Sequence, residues 1–298
     1  MRTGVIHLEN VAERRFTTFV GIDLGGSRGK TTAVSELVRT PDGVAVRQAS
    51  TRATGAAPWL DPALWDYVST LGDDAVVAIN APLTQPACQR CTRPVCPGVE
   101  ACVEPAVIWL RTEGERLVAG EAASEGTVSA GGTSTSITSD TTSKRPRIRL
   151  QPYMHRATEI VLAYQRGLVP TTTAGTAVGP VAARAGQLRR RLAGCGYTLN
   201  DNLLEVSPPA TLGALVGRRR ARATRRDADA WAARATVLEG FGDLTFAPTS
   251  RFAREDALRS VHVFDALIAG YTAYRWSREG WTLPAGGVFD DDGWIWTP

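Results

Sequence analysis

The chain has 298 residues, and 43% of them are apolar, enough to bury a sizeable core, which excludes wholesale disorder. Basic residues outnumber acidic ones by 34 to 30, and a net charge of +4 is too small to establish a nucleic-acid partner by itself. No stretch approaches the ~20 apolar residues of a membrane span, and the polar start of the chain shows no apolar signal region, so the expected location is a reducing cytoplasm.

Residues 1–17 read as a leader and 18–298 as one domain. The run 18–24 (TFVGIDL) reads as a buried strand, and Gly25-Gly26-Ser27 as the turn behind it. Strands over 31–39 and 43–50 complete an antiparallel meander. A helix is expected over 62–71, with Asp61 as its N-cap and Pro62 in its first turn. The run 75–80 (AVVAIN) is apolar throughout and reads as a central strand reached by a parallel crossover.

A Cys-rich loop follows at 86–104, and a Ser/Thr/Gly-rich loop at 124–143. Helices are expected over 154–167 and 181–193. A fifth strand over 202–207 (NLLEVS) ends at Pro208-Pro209, and a helix opens at 211–216. An arginine cluster at 218–226 precedes a helix over about 227–239. One long helix spans 254–278, and 287–296 reads as a closing hairpin. This order gives an α/β fold with a ribonuclease H-like mixed sheet, an antiparallel meander joined to parallel strands and flanked by helices.

Three acids stand where charge is expensive. Asp23 ends the first strand, Glu205 lies inside an apolar strand, and Asp265 sits on the apolar stripe of the long helix. Buried carboxylates are paired, hydrogen-bonded or metal-bound. Convergence of the three predicts a Mg²⁺ or Mn²⁺ site that activates water for attack on a phosphodiester. The plainer readings are that Asp23 caps the glycine turn, that Glu205 pairs with an arginine such as Arg156, and that Asp265 is exposed.

The blocks VGIDLGGSRGKT, VVAINAPLTQP, LLEVSPPATLGAL, VFDALIAGYTAY and DGWIWTP occur in that order. Together they resemble the predicted ribonuclease H-fold nucleases grouped as domain-of-unknown-function family 429, over about residues 18–298. The resemblance implies acids at Asp23, Glu205 and Asp265. It also implies a supporting or substrate-binding block at Arg156-Ala157-Thr158-Glu159. Where the family block reads Ile-Asp-x-Pro, this chain has Ile79-Asn80-Ala81-Pro82. Asn80 offers a metal a neutral oxygen only, which weakens the expected ion site.

Cys88, Cys91, Cys96 and Cys102, spaced C-x2-C-x4-C-x5-C, suit Zn²⁺ or an iron–sulfur cluster as a structural pin beside Asn80, with a metal-free loop as the other reading. The fifth cysteine, Cys195, reads as a small core residue. Arg218, Arg219, Arg220, Arg222, Arg225 and Arg226 either neutralise phosphates or form a solvated helix start offset by Asp227, Asp229 and Glu239. Trp276, Trp281, Trp294 and Trp296 read as packing of the tail.

The expected activity is a metal-dependent, nuclease-like hydrolase acting on nucleic acid or nucleotides. Two alternatives stand beside it. One is an ATPase or sugar-kinase-like enzyme, because Asp23-Leu24-Gly25-Gly26-Ser27 with Lys30 resembles a phosphate loop. The other is an inactive binding module, favoured by Asn80.

Overall fold

A computed structural model describes residues 16–26, 31–53, 57–120, 149–168, 179–226 and 228–298. Its centre is a seven-stranded mixed sheet of β1 (Thr18–Asp23), β2 (Ala33–Thr40), β3 (Gly43–Ser50), β4 (Ala75–Asn80), β5 (Leu203–Val206), β6 (Leu244–Phe246) and β7 (Ile295–Trp296), in the order β6-β3-β2-β1-β4-β5-β7. β2 is antiparallel to both its neighbours, and the other pairings are parallel. The expected meander and crossover strand are thus present, β3 and β4 with the bounds expected. Residues 1–15 of the leader, the loop at 124–143, Ser27 and Lys30 lie outside the described residues.

Helices cover both faces of the sheet. α1 (Asp61–Ser69) and α6 (Gly179–Ala193) close one face over Val20, Ile22, Val77, Ile79 and Leu203. Between β4 and α6 the chain forms the short helices α2 (Ala87–Arg90), α3 (Pro105–Trp109), α4 (Glu115–Ala119) and α5 (Ala157–Ile160). α7 (Pro208–Arg226), α8 (Ala230–Glu239), α9 (Arg251–Arg259) and α10 (Val261–Glu279) follow β5, and α11 (Val288–Asp292) precedes β7. α10 closes the second face over Phe19, Leu37, Ala78 and Leu204.

α10 lies close on β1 because Gly21 has no side chain. A Cβ there would stand 2.0 Å from the carbonyl oxygen of Ala266 and 2.3 Å from the amide nitrogen of Gly270. Ser35 Oγ donates to that same Ala266 oxygen (2.8 Å). Phe19 meets Tyr274 edge to face at 5.6 Å between ring centroids, and Phe16 meets Trp276 at 6.0 Å. α10 therefore runs opposite to β1, and its first turn stands at the carboxyl end of that strand.

Several expected elements differ. The long helix over 254–278 is two helices, α9 and α10, broken at Ser260, whose Oγ accepts from the Val263 N–H (3.4 Å). Such a local side-chain cap offers the backbone an alternative to continuing the helix. The closing hairpin is α11 followed by β7, which pairs in parallel with β5. Pro208 and Pro209 open α7, since proline fits a helix's first turn, where no amide is needed. The helix over 154–167 is α5 running into a π-helical turn, Val161–Gln165. Asp61 is not a cap: it is the first helical residue and accepts from Arg184 Nε (2.6 Å). Cys195 is exposed rather than in the core. The tail tryptophans Trp276, Trp294 and Trp296 are buried, as expected, with Trp276 and Trp296 edge to face at 5.8 Å.

Candidate functional site

β1 and β4 lie side by side with Asp23 opposite Asn80, so both side chains leave the sheet on the α10 face at its carboxyl edge. Asn80 Nδ2 donates to Asp23 Oδ1 (2.6 Å), and His262 Nδ1 lies 2.7 Å from Asp23 Oδ2. With the proton on Nδ1, His262 donates to Asp23 and leaves Nε2 as a free base. The imidazole is 45% exposed whereas Asp23 is buried, so the ring presents that nitrogen toward solvent from an anchored end. The turn behind Asp23 is fixed as well. Thr32 Oγ1 accepts from the Gly25 N–H (3.0 Å), and Arg184 Nη1 donates to Gly25 O (2.5 Å) and to Thr32 Oγ1 (2.8 Å).

Asp265 stands one helical turn after His262, and residues three apart share a helix face. It is buried, and both its oxygens accept from Arg225 Nη2 (2.5 and 2.7 Å). Burial pushes the Asp265 carboxyl up to about 7; Arg225 opposes the shift, and the nearby negative charge of Asp23 adds to it. The hydrogen bond to Asp23 is the largest influence on His262 and raises it above 6.5, against partial burial, with the charges of Asp23 and Asp265 adding to the rise. Two acid–base groups, both raised above their ordinary values, thus face one strand end. The sequence reading does not include His262, and it places Arg225 in the arginine cluster rather than against Asp265. The available signal was the i, i+3 pair His262/Asp265 on one helix.

Glu205 is elsewhere. It pairs with Ile79, the residue before Asn80, so the pleat turns its side chain to the opposite face from Asp23. There it is the acid partner of Arg156, the plainer of the two sequence readings. Arg156 Nη1 and Nη2 reach Glu205 Oε2 and Oε1 at 2.8 and 2.6 Å, and Oε2 also accepts from the Leu83 N–H (2.8 Å).

Arg156 further donates to Glu159 Oε1 through Nε (3.1 Å) and Nη2 (3.0 Å), and to Thr84 Oγ1 (2.7 Å). Burial pulls the Arg156 guanidinium down, yet the charges of Glu205 and Glu159 leave it above its ordinary range. Asp292 accepts from the Ala157 N–H (2.6 Å), and Thr158 Oγ1 accepts from the Ile295 N–H (3.0 Å). The block 156–159 is therefore buried and ties β5 to the tail strand β7.

The expected convergence of Asp23, Glu205 and Asp265 on one ion is not what the structure builds. Asp23 and Asp265 come together with Asn80, and Glu205 does not join them. Carboxylate oxygens are the hard donors Mg²⁺ takes. In Asp23 and Asp265 all of them already face N–H groups, so the residues as arranged do not fit a resident ion.

Cys88, Cys91 and Cys96 are exposed, Cys102 is half-buried, and all four are free thiols. Among the described residues no group of three or more His, Cys, Asp or Glu side chains is placed to hold a metal. The loop is tied instead by Arg90 to Glu104 (3.5 Å) and by Arg111 Nη1 to Val99 O (2.8 Å). Arg90 also meets Asp292 (3.0 Å), which links this loop to the buried network around Arg156.

Residues 21–287 match the family model described as "Protein of unknown function (DUF429)". The chain belongs to the DUF429 family. Neither a curated protein nor a solved structure matches it. Both Asp23 and Asp265 fall inside the DUF429 match, as do Asn80, Arg225 and His262.

Proposed function

We propose that this chain hydrolyses phosphodiesters, with Asp23 and His262 as an acid–base pair at the carboxyl end of β1. The observation that carries the reading is the 2.7 Å contact between His262 Nδ1 and Asp23 Oδ2, which fixes the tautomer and leaves Nε2 free. Ligands of open α/β sheets bind at carboxyl strand ends where the strand order reverses, and β1 sits at that reversal, between β2 and β4. A ribonuclease H-like arrangement is supported by the order β3-β2-β1-β4-β5 with β2 antiparallel.

His262 Nε2 takes a proton from water, and the water oxygen forms a bond to phosphorus in line with the leaving group. Asp23 holds the ring and stabilises the imidazolium. The opposite P–O bond breaks, and the leaving oxygen takes the proton of Asp265, whose carboxyl is protonated in part near neutrality. Exchange of protons with solvent resets both groups.

A divalent ion would supply charge stabilisation at the two aspartates only by displacing Arg225 or His262, and no step is assigned to it. The thiols of Cys88, Cys91, Cys96 and Cys102 have the chemistry for Zn²⁺ or an iron–sulfur cluster, but the loop carries no step either.

The test is turnover of bis(p-nitrophenyl) phosphate by wild type and by His262→Gln. Loss of general acid–base catalysis costs about 10²- to 10⁴-fold in kcat. A His262→Gln protein of undiminished kcat contradicts the proposal.

A further inference from the structure

The second half of α7 places Arg218, Arg222 and Arg226 at i, i+4 and i+8, one helix face, with Arg225 beside them. Like charges one turn apart destabilise a helix, so such a stripe calls for a counter-charge. Glu239 pairs with Arg254 (3.3 Å), and among the described residues Arg218, Arg219, Arg220, Arg222 and Arg226 make no ion pair. Of the acids in their plainer reading, a solvated helix start, Glu239 is thus engaged elsewhere, and Asp227 lies outside the described residues.

The stripe also lines a cavity of about 300 Å³, facing Gly167 and Gly213. Gly167 has φ +65°, and a Cβ there would stand 2.7 Å from Arg218 Nη2, so its lack of a side chain makes room for that guanidinium. α7 breaks at Gly217 (φ 81°, ψ 156°), a conformation essentially confined to glycine, and this break sets the direction of the arginine-bearing half. Arg225, which lines the cavity, also donates to Asp265, so the cavity borders the proposed catalytic centre.

We propose that this arginine face is the track for a nucleic-acid strand whose scissile phosphate lies at His262. The inference rests on the phosphodiester reading of the centre and names its substrate. From Arg218 to Arg226 the helix rises about 12 Å. That length exceeds one phosphate and suits a run of backbone phosphates, each met by a guanidinium fork. A mononucleotide would leave the outer arginines without a partner.

The experiment measures binding of a short fluorescent single-stranded DNA to the full chain over a salt series. One variant carries Arg218→Gln, Arg222→Gln and Arg226→Gln. A control carries Arg116→Gln, Arg190→Gln and Arg254→Gln, the same charge change made outside the track. For single strands each lost phosphate contact reduces the slope of log K against log salt by about 0.7, so three contacts reduce it by about 2. The expected result is that loss of slope, with binding weakened by about tenfold or more at low salt, in the track variant alone; its circular dichroism and Tm report that it folds. Equal effects in track and control variants, or none in either, overturn the proposal. Binding with the expected slope by a chain that cleaves no phosphodiester supports the track and removes the hydrolase.

Discussion

At the scale of single residues, the two strand acids have opposite fates because of the pleat. Asp23 is opposite Asn80 and Glu205 is opposite Ile79, so one residue of register separates the Asp23–His262 contact from a buried ion pair. Both acids were legible as expensive charges in the sequence. Which face each took was not, because the register across β1, β4 and β5 is set by packing on both sides of the sheet. The opposite fates make a prediction. Glu205→Gln retains an acceptor for the Leu83 amide but removes a charge facing the fully buried Arg156. It is expected to lower stability by about 1–3 kcal/mol, read from denaturant unfolding. The kcat of the folded protein is expected to stay at its wild-type order of magnitude. A three-carboxylate ion site would instead make Glu205→Gln as damaging to turnover as Asp23→Asn.

At the scale of elements, the site depends on the distance between α10 and β1. The strands were legible because continuous apolar runs bounded by Gly and Pro have few alternatives. The end of α9 was not, because a serine cap is a local competitor that the apolar pattern alone does not reveal. That break lets α10 begin at Val261 and puts His262 in its first turn, beside Asp23. Gly21 then sets how closely the helix settles. In Gly21→Ala, the added methyl meets backbone atoms of Ala266 and Gly270, which cannot rotate away. The expected cost is about 3 kcal/mol, the upper end of overpacking, seen as a lowered midpoint of urea unfolding. The same displacement pulls His262 from Asp23, so turnover is expected to fall with stability. A Gly21→Ala protein as stable and active as wild type would refute the close packing of α10 on β1.

At the scale of the whole molecule, the sheet separates two kinds of polar work. One face carries Asp23 and His262 with Asp265 and the arginine face of α7. The other carries the closed network of Arg156, Glu159, Glu205 and Asp292, which fastens the tail strand. The family resemblance named Asp23, Glu205 and Asp265 alike, and it could not tell which acids meet at the end of β1 and which one pairs with Arg156, since all three are buried acids in apolar surroundings. Net charge was similarly uninformative: an excess of only +4 conceals six arginines within residues 218–226.

The pairing of Asp23 with His262 is tested most directly by the pH dependence of kcat/KM for a phosphodiester. His262 must be neutral to act as base, so the rate rises as pH passes its value, which Asp23 lifts above 6.5. Asp265 must hold its proton, so the rate falls again above about 7. The centre therefore gives a bell-shaped profile whose alkaline limb belongs to Asp265, and Asp23→Asn moves the acid limb to lower pH while reducing the rate. A rate that climbs steadily with pH, with an acid limb unmoved in Asp23→Asn, would contradict it.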